Sequence, residues 1–270
     1  MADDYDLPKG ALMGGKRGLV MGVANHNSIA WGIAAQLAAQ GAEVGLAYME
    51  ANEKRVKPLG ESIGTRVFAT FDASSDASME AAFKVVEDAW GTMDFLVHAI
   101  AFADREQMKG SFVENTTRAS FALALDISCY SFVDASRRAS RLMKSGGSII
   151  TLTYLGSERA IPNYNTMGVA KAALEAATRY VARDLGPQGI RVNAISAGAM
   201  RTLSLAGISG GRGMLSAGRA LSALKEDTSM EGVAGAALWL LSDLGRSTTG
   251  EIVHVDAGFH MMGLPSEAAP

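Results

Sequence analysis

The sequence predicts an α/β protein built on one doubly wound sheet of about seven parallel strands, with helices on both faces. Three observations lead to this prediction: seven short apolar runs, amphipathic segments of helical period between most of them, and a length of 270 residues. Near-continuous runs of Val, Ile and Leu are typical of parallel strands that are covered on both faces. A length of this order suits one large α/β domain, so we expect residues 1–270 to form a single domain.

The seven strand candidates alternate with the helix candidates along the chain. In order, the predicted strands are Gly18–Val23, Glu43–Tyr48, Arg66–Phe71, Phe95–Ala99, Ser148–Thr153, Arg191–Ser196 and Glu251–Val255. A first helix is expected after the first strand, because Ile29, Ile33 and Leu37 recur at helical spacing and Gly41 stands where a helix would end. Further helices are predicted over Ala77–Trp90, Phe112–Met143, Asn165–Leu185 and Gly232–Leu241.

Composition excludes several classes of protein. With 25 Lys and Arg against 28 Asp and Glu, the formal net charge is −3, which argues against a nucleic-acid binder or a protein spread on anionic lipid. The N-terminus is acidic and polar, unlike a signal peptide, and no apolar run approaches the ~20 residues of a membrane span. We therefore expect a soluble, cytoplasmic protein.

Cysteine and histidine give no sign of a metal or a disulfide. Cys129 is the sole cysteine of the sequence, so an intramolecular disulfide is excluded, and a small buried hydrophobic residue is the expected role. The four histidines show no metal-ligand spacing, and they are His26, His98, His254 and His260. No metal site is expected.

One segment departs from the regular alternation. Thr202–Glu226, after the sixth strand, contains Gly207, Gly210, Gly211 and Gly213 among Ser, Ala and Leu. Long connections in compact domains are usually functional, so the segment predicts a mobile flap over a substrate site. The alternative is a merely irregular connection.

The first strand–helix junction is where a doubly wound sheet binds the phosphates of a dinucleotide. A G-x-G-x-x-G motif is absent, but Gly22 ends the strand, where a missing side chain lets a ligand approach. Ser28 stands at the N-cap position of the first helix, and its hydroxyl and the free N–H groups of the first turn could hold a pyrophosphate. The alternative makes Ser28 only a cap and Gly22 only a turn.

The end of the second strand bears on the choice of nicotinamide cofactor. Tyr48 is followed by Met49 and Glu50, with no Lys or Arg before Lys54. A 2′-phosphate needs cationic partners and would be repelled by Glu50, so this half of the site favours NADH. Asp72, after the third strand, is placed to hydrogen-bond adenine, although a turn-capping role is the alternative.

Tyr164 and Lys171 form the candidate catalytic pair. Seven residues along a helix come within about 20° of two full turns, so the two side chains share one edge, about 10 Å apart along the axis. Because the lysine side chain leans toward the N-terminus, part of this gap closes. A cation near a phenol favours the phenolate, which would make Tyr164 a better donor to a developing oxyanion. An unrelated aromatic and a solvated lysine are the alternative.

These residues lie in motifs that resemble the short-chain dehydrogenase/reductase superfamily and, within it, the bacterial enoyl-[acyl-carrier-protein] reductases. Tyr-x6-Lys replaces the Tyr-x-x-x-Lys of ordinary members. The resemblance runs from about Gly15 to Phe259, and its most specific segments are Gly22–Ala34, His98–Ala103, Tyr154–Lys171, Arg191–Gly198 and Thr249–Gly258. It implies a Rossmann-type fold and NADH-dependent reduction of the trans-2 double bond of enoyl thioesters, carried on acyl carrier protein or coenzyme A, in fatty-acid biosynthesis.

The resemblance also implies roles for individual residues. It assigns to the cofactor Gly22, Ser28, Ile29, Met49, Asp72, Ala73, Ile100, Lys171, Met200, Arg201, Thr202, Leu203 and Ser204. Tyr154 and Tyr164 match the two active-site tyrosines, with Lys171 as the third catalytic residue. Tyr154, Tyr164, Ala103 and Met167 match substrate contacts. A homotetramer is implied, with interfaces from the apolar helices Phe112–Met143 and Asn165–Leu185.

Several positions depart from the family pattern. Ala199 stands where a proline is usual, and Ala257 replaces a glycine. The usually basic stretch that meets the acidic carrier protein retains only Arg212 among glycines, and Leu224–Thr228 replaces a second basic segment. We therefore expect weak docking of the carrier protein. Two other functions stay open: a ketone/alcohol dehydrogenase of the wider superfamily, and a protein that senses NADH without catalysis.

Overall fold

The computed structural model describes residues 7–206 and 211–263. Seven parallel strands form one sheet in the order β3-β2-β1-β4-β5-β6-β7. Their bounds are β1 Arg17–Met21, β2 Glu43–Tyr48, β3 Phe68–Thr70, β4 Phe95–His98, β5 Gly147–Thr153, β6 Ile190–Ala197 and β7 Ile252–Val255. The doubly wound parallel sheet predicted from the sequence is thus confirmed.

Each predicted strand is present, with ends that differ by at most two residues. The first strand ends at Met21 rather than Val23, because Gly22 turns the chain out of the sheet with a φ of 97°. A Cβ at Gly22 would lie 2.1 Å from the carbonyl oxygen of Ala99, so this close approach requires glycine.

Ten α-helices lie in the described residues. They are α1 Ile29–Ala39, α2 Glu53–Ser62, α3 Asp76–Trp90, α4 Phe112–Asn115, α5 Arg118–Leu125, α6 Ser131–Leu142, α7 Asn165–Leu185, α8 Leu203–Ala206, α9 Gly211–Leu221 and α10 Met230–Leu241. The sequence reasoning missed α2, which buries only Val56, Leu59 and Gly60 and contains Pro58. A short apolar stripe interrupted by proline gives little helical signal.

The prediction of one helix over Phe112–Met143 is wrong. The chain breaks after Asn115, where the Thr117 side chain accepts a hydrogen bond from the Ser120 N–H and begins α5 as a capping box. Between α5 and α6, residues Asp126–Tyr130 form a π-helical turn. Turns of this type often occur at functional sites, and this one lies beside the site described below.

Two apolar clusters pack on opposite faces of the sheet. Trp31 of α1 and Val233 of α10 belong to one cluster, whereas Phe83 of α3, Phe132 of α6 and Leu174 of α7 belong to the other. The strands supply both, because consecutive residues of a strand point to opposite faces. No helix of the described residues is long and apolar enough to cross a membrane.

Candidate active site

The order of the sheet reverses between β1 and β4, where crevices at the carboxyl ends of the strands bind ligands. A cavity of about 540 Å³ opens there. Thirteen residues from the sequence-based site line it, namely Gly22, Ser28, Ile29, Met49, Asp72, Ala73, Ile100, Tyr154, Tyr164, Lys171, Met200, Thr202 and Leu203. The fold thus collects residues from six separate loops around one space.

Four predicted site residues are placed differently. Ala103 and Met167 pack with Tyr164 in a small apolar cluster beside the cavity and do not line it. The Arg201 side chain is exposed and does not line the cavity. Ser204 lies in α8, but its side chain is outside the described residues.

The turn after β1 has the features of a phosphate-binding site. Ser28 occupies the N-cap position, but its hydroxyl does not cap the helix. It accepts hydrogen bonds instead from the N–H groups of Ala24 and Asn25, both at 3.0 Å, and so shapes the turn. Ser28 thus lies at the predicted N-cap position, whereas the alternative, in which it is only a cap, is wrong. Ile29 and Ala30, the first two residues of α1, also line the cavity, and the N-terminus of a helix favours a bound anion.

The adenosine end of the cavity lies near the ends of β2 and β3. Asp72 Oδ1 accepts hydrogen bonds from the Ser74 N–H at 2.9 Å and the Ser74 hydroxyl at 2.7 Å, which lowers the pKa of Asp72. Asp72 therefore holds its own turn and also lines the cavity. Exposed Glu50 begins a short helical turn, and Asn52 at the end of that turn lines the cavity, a position that sequence reasoning missed.

The two tyrosines meet edge to face. Tyr154 follows β5 and Tyr164 precedes α7, and their ring centroids are 4.9 Å apart with an interplanar angle of 71°. Burial raises the pKa of Tyr164, with further contributions from Tyr154 and Glu175. The expected lowering by a neighbouring cation is therefore wrong, because desolvation dominates. Tyr164 is a protonated phenol and can act as a hydrogen-bond donor.

Lys171 is buried at the floor of the cavity. Its Nζ donates a hydrogen bond of 2.7 Å to the carbonyl oxygen of Leu152 in β5. Burial lowers the pKa of Lys171 from its ordinary 10.5 to about 8, and the opposing effect of Glu175 is smaller. Glu175, one turn farther along α7, accepts a 2.6 Å hydrogen bond from the Thr153 hydroxyl. Both side chains thus attach α7 to the end of β5.

Two glycines that sequence reasoning missed allow this packing. A Cβ at Gly156 would lie 2.4 Å from the Tyr164 ring, and one at Gly168 would lie 2.6 Å from the Gly156 carbonyl oxygen. Close approach of the turn after β5 to α7 therefore depends on both glycines, and this approach brings Tyr154 onto Tyr164. Both glycines lie within the Tyr154–Lys171 segment, and their presence there was the sequence signal that could have predicted this close packing.

A second cavity, of about 330 Å³, adjoins the first and shares Tyr154, Gly198, Ala199 and Met214 with it. Apolar side chains line much of it, namely Ile161, Pro162, Met214, Leu215, Ala217 and Phe259. Arg219 and Asp227 lie at its polar side, and Arg219 Nε donates to Asp227 Oδ1 at 3.1 Å. An apolar chain fits this chemistry.

Part of the predicted flap forms a wall of both cavities. Within Thr202–Glu226 the structure has the helices α8 and α9, so the segment is not simply a loop. Residues 207–210, including Gly207, Ile208 and Gly210, lie outside the described residues, as does the Arg212 side chain. Mobility of the flap stays a prediction.

No group of three or more His, Cys, Asp or Glu side chains in residues 7–206 and 211–263 is arranged to hold a metal ion. The described site brings together two phenols, a lysine and the turn after β1. A doubly wound sheet with this turn and a Tyr–Lys pair on one helix defines a short-chain dehydrogenase/reductase.

The profile of a family described as enoyl-(acyl carrier protein) reductase matches residues 22–260. The chain is 52% identical, over 94% of its length and 95% of the relative, to enoyl-[acyl-carrier-protein] reductase [NADH] 2 of Rhizobium meliloti. The chain belongs to the enoyl-[acyl-carrier-protein] reductase family.

Solved structures agree with this assignment. The enoyl-(acyl-carrier-protein) reductase from Anaplasma phagocytophilum, in complex with NAD, has a TM-score of 0.92 at 51% identity, covering 97% of this chain and 100% of that one. The Bacillus cereus enoyl-acyl carrier protein reductase, with NADP+ and an indole naphthyridinone, has a TM-score of 0.91 at 44% identity, covering 94% and 100%.

Proposed function

We propose that this protein is an NADH-dependent enoyl-[acyl-carrier-protein] reductase that reduces the trans-2 double bond of enoyl thioesters in fatty-acid biosynthesis. The observation that carries the proposal is that buried, protonated Tyr164 and buried Lys171 line the first cavity, while Tyr154, packed on the Tyr164 ring, lines both that cavity and the apolar one. Hydride transfer to a conjugated double bond needs a donor for the oxyanion that develops on the thioester, and Tyr164 is such a donor.

The residues of the first cavity fit a dinucleotide. Gly22 leaves a space that a Cβ would fill, and Ser28 and Ile29 at the start of α1 line the cavity, where the N-terminus of the helix would favour a pyrophosphate. Lys171 would hold the nicotinamide ribose hydroxyls, and Met49 would lie beside the adenosine ribose. Bound NADH would supply the hydride that reaches the β-carbon of the substrate.

Side chains of the protein would stabilise the negative charge that forms on the thioester oxygen. The Tyr164 hydroxyl would hydrogen-bond the thioester oxygen and stabilise the enolate, while Tyr154 packs on its ring and limits its orientation. Buried Lys171, with a pKa near 8, exchanges protons readily at neutral pH and assists the proton supply. The α-carbon then takes up the proton that completes reduction.

The acyl chain of the substrate would enter the second cavity past Tyr154. Carrier-protein docking would be weak, since the charge of Arg219 is paired with the carboxylate of Asp227. Paired cations contribute less to the attraction of an acidic partner. A carrier-bound substrate should therefore gain little over its coenzyme A thioester.

A cytoplasmic homotetramer is part of the proposal. Exposed apolar side chains are present on the helical segments that pack together beside the site, namely Leu123, Tyr130, Val133, Val169 and Tyr180. A face of this kind favours association with further copies of the chain.

The decisive experiment follows the loss of NADH absorbance with crotonyl or dodecenoyl thioesters. Oxidation with the enoyl thioester, and none with a β-ketoacyl thioester, would support the proposal. Oxidation only with the ketoacyl substrate would identify a ketone reductase instead. Binding of NADH with no turnover of either substrate would favour a sensor.

A further inference from the structure

The loop after β4 lines the first cavity through Ala99, Ile100, Ala101 and Phe102. Its backbone is held by a side chain from the π-helical turn. The Ser128 hydroxyl accepts a hydrogen bond from the Phe102 N–H at 2.9 Å and donates one to the Phe102 carbonyl oxygen at 3.0 Å. One fully buried hydroxyl therefore satisfies both backbone groups of a single residue.

The other end of the same loop is held by the next turn of the helix. The Ser131 hydroxyl donates a 2.6 Å hydrogen bond to the Ile127 carbonyl oxygen, so it accepts from the His98 ring at Nε2, 2.9 Å away. His98 also lies 3.0 Å from the Thr151 hydroxyl through Nδ1. Burial lowers the pKa of His98 to about 3, so the ring is neutral and can take part in this arrangement.

Ser128 and Ser131 lie three residues apart and therefore on one face of the helical segment. They hold His98 and Phe102, which bracket the three cavity-lining residues between them. The carbonyl oxygen of Ala99 also occupies the space that a Cβ at Gly22 would need. A displacement of this loop would therefore disturb the phosphate turn as well as the cavity wall.

We propose that Ser128 is a positioning residue, which fixes the loop after β4 in the conformation that binds the dinucleotide and the enoyl thioester. The hydroxyl touches neither cavity directly and acts through the Phe102 backbone. This inference rests on the proposed function for its thioester part, but the dinucleotide part is independent of the reaction catalysed.

The test compares Ser128→Ala with Ser136→Ala in the full-length protein. Ser136 is also a buried serine of the adjoining α6, and its hydroxyl has no hydrogen-bond partner in the part of the chain that the structure describes. Both variants thus lose the same buried oxygen, but only the first loses the two bonds to Phe102. We expect Ser128→Ala to weaken NADH binding and raise KM for the thioester about tenfold, with kcat within a factor of two. Ser136→Ala should match the wild type in both.

Ser128→Thr keeps the hydroxyl and should recover most of the lost NADH affinity. If Ser128→Ala does not fold, Ser128→Cys, which retains the volume with a weaker donor, is measured in the same way. Unchanged NADH affinity and KM in folded Ser128→Ala or Ser128→Cys, or equal changes in Ser136→Ala, would overturn the inference. Absence of enoyl reduction by the wild type would refute the proposed function, whereas NADH affinity would still test the positioning role.

Discussion

At Tyr164, burial outweighs any effect of the neighbouring lysine on the phenol. The raised pKa keeps the hydroxyl protonated, so the role that we propose for it is a hydrogen bond to negative charge that develops in the substrate. The residue pair identified in the sequence is retained in the structure, but its electrostatic role differs. Local spacing indicates which residues share a helix edge, whereas desolvation depends on everything that packs around them.

Tyr164→Phe tests this role. Removal of the hydroxyl should slow enoyl reduction about 10²–10³-fold and leave NADH affinity nearly unchanged, because one oxyanion donor is lost while the ring stays packed on Tyr154. Steady-state kinetics and NADH titration measure the two effects. Full activity in this variant would move the donor role to Tyr154 or to water.

Lys171 should make the stability of the protein depend on pH. Its pKa is about 8 in the folded protein, against an ordinary 10.5 that applies when the chain unfolds. Between these values the unfolded state binds more protons, so the free energy of unfolding rises with pH. Below pH 8 both states are protonated and the full cost of the buried charge is present.

Urea unfolding of the wild type and Lys171→Met at pH 7.5 and pH 10 measures this cost. The stability of the wild type relative to the variant should rise by about 2 kcal/mol between the two pH values. Lys54→Met, at an exposed lysine of α2, should show no such change. A pH-independent difference for Lys171→Met would mean that the folded protein keeps this lysine protonated.

Glu50 is expected to set the cofactor preference. An exposed carboxylate at the end of β2 would repel the 2′-phosphate of NADPH, so NADH should bind at least tenfold more tightly, a difference of about 1.4 kcal/mol. Glu50→Gln should reduce this ratio, whereas Glu61→Gln, near the end of α2, should not. Titrations of each protein with NADH and with NADPH measure this ratio of affinities. Equal affinities in the wild type would show that Glu50 does not face the phosphate.

At the scale of secondary-structure elements, the predicted flap, Thr202–Glu226, is the segment in which the structure differs most from the sequence-based prediction. Its glycines predict disorder, yet α8 and α9 are helices that wall the cavities. Isolated helices of this length are marginal in water, so packing against the site must supply their stability.

We expect amides of α9 to exchange with solvent much faster than those of α7 in the free protein. Exchange in α9 should slow when NADH and an enoyl substrate analogue are both bound, because Met214 and Leu215 then have an apolar chain to pack against. Hydrogen-exchange mass spectrometry on free, NADH-bound and ternary samples measures this. Equal protection in all three would show that the flap is rigid, contrary to the prediction.

On the scale of the whole molecule, the reversal of strand order between β1 and β4 creates the site. This topology brings the Gly22 turn, the end of β3, the loop after β4 and the Tyr154–Lys171 region around one cavity. The same winding leaves the outer faces of α5 and α7 partly apolar and exposed. The shared cavity supports the proposed reductase activity, and the exposed apolar helix faces support the proposed oligomer.

Leu123→Asp should dissociate the homotetramer, because it places a charge on the exposed apolar face of α5. Leu244→Asp, at a 63% exposed leucine outside both of the predicted interface segments, is the matched control and should leave the mass unchanged. Light scattering after size-exclusion chromatography gives the mass, and circular dichroism checks the fold. A monomeric wild type would refute the oligomer directly.

The sequence by itself determined the seven strands, the helices α1, α3, α7 and α10, the family and most of the residues around the first cavity, since these depend on local periodicity and short motifs. Only the tertiary structure decided how the Ser28 hydroxyl is used, how Ser128 holds Phe102, and how burial shifts the pKa values of Tyr164 and Lys171. Each of these depends on groups far apart in the chain or on the solvent that packing excludes. A local sequence pattern contains neither the contacts between distant residues nor the exclusion of solvent. Both arise only after the strands have assembled into the sheet, whose order reverses between β1 and β4.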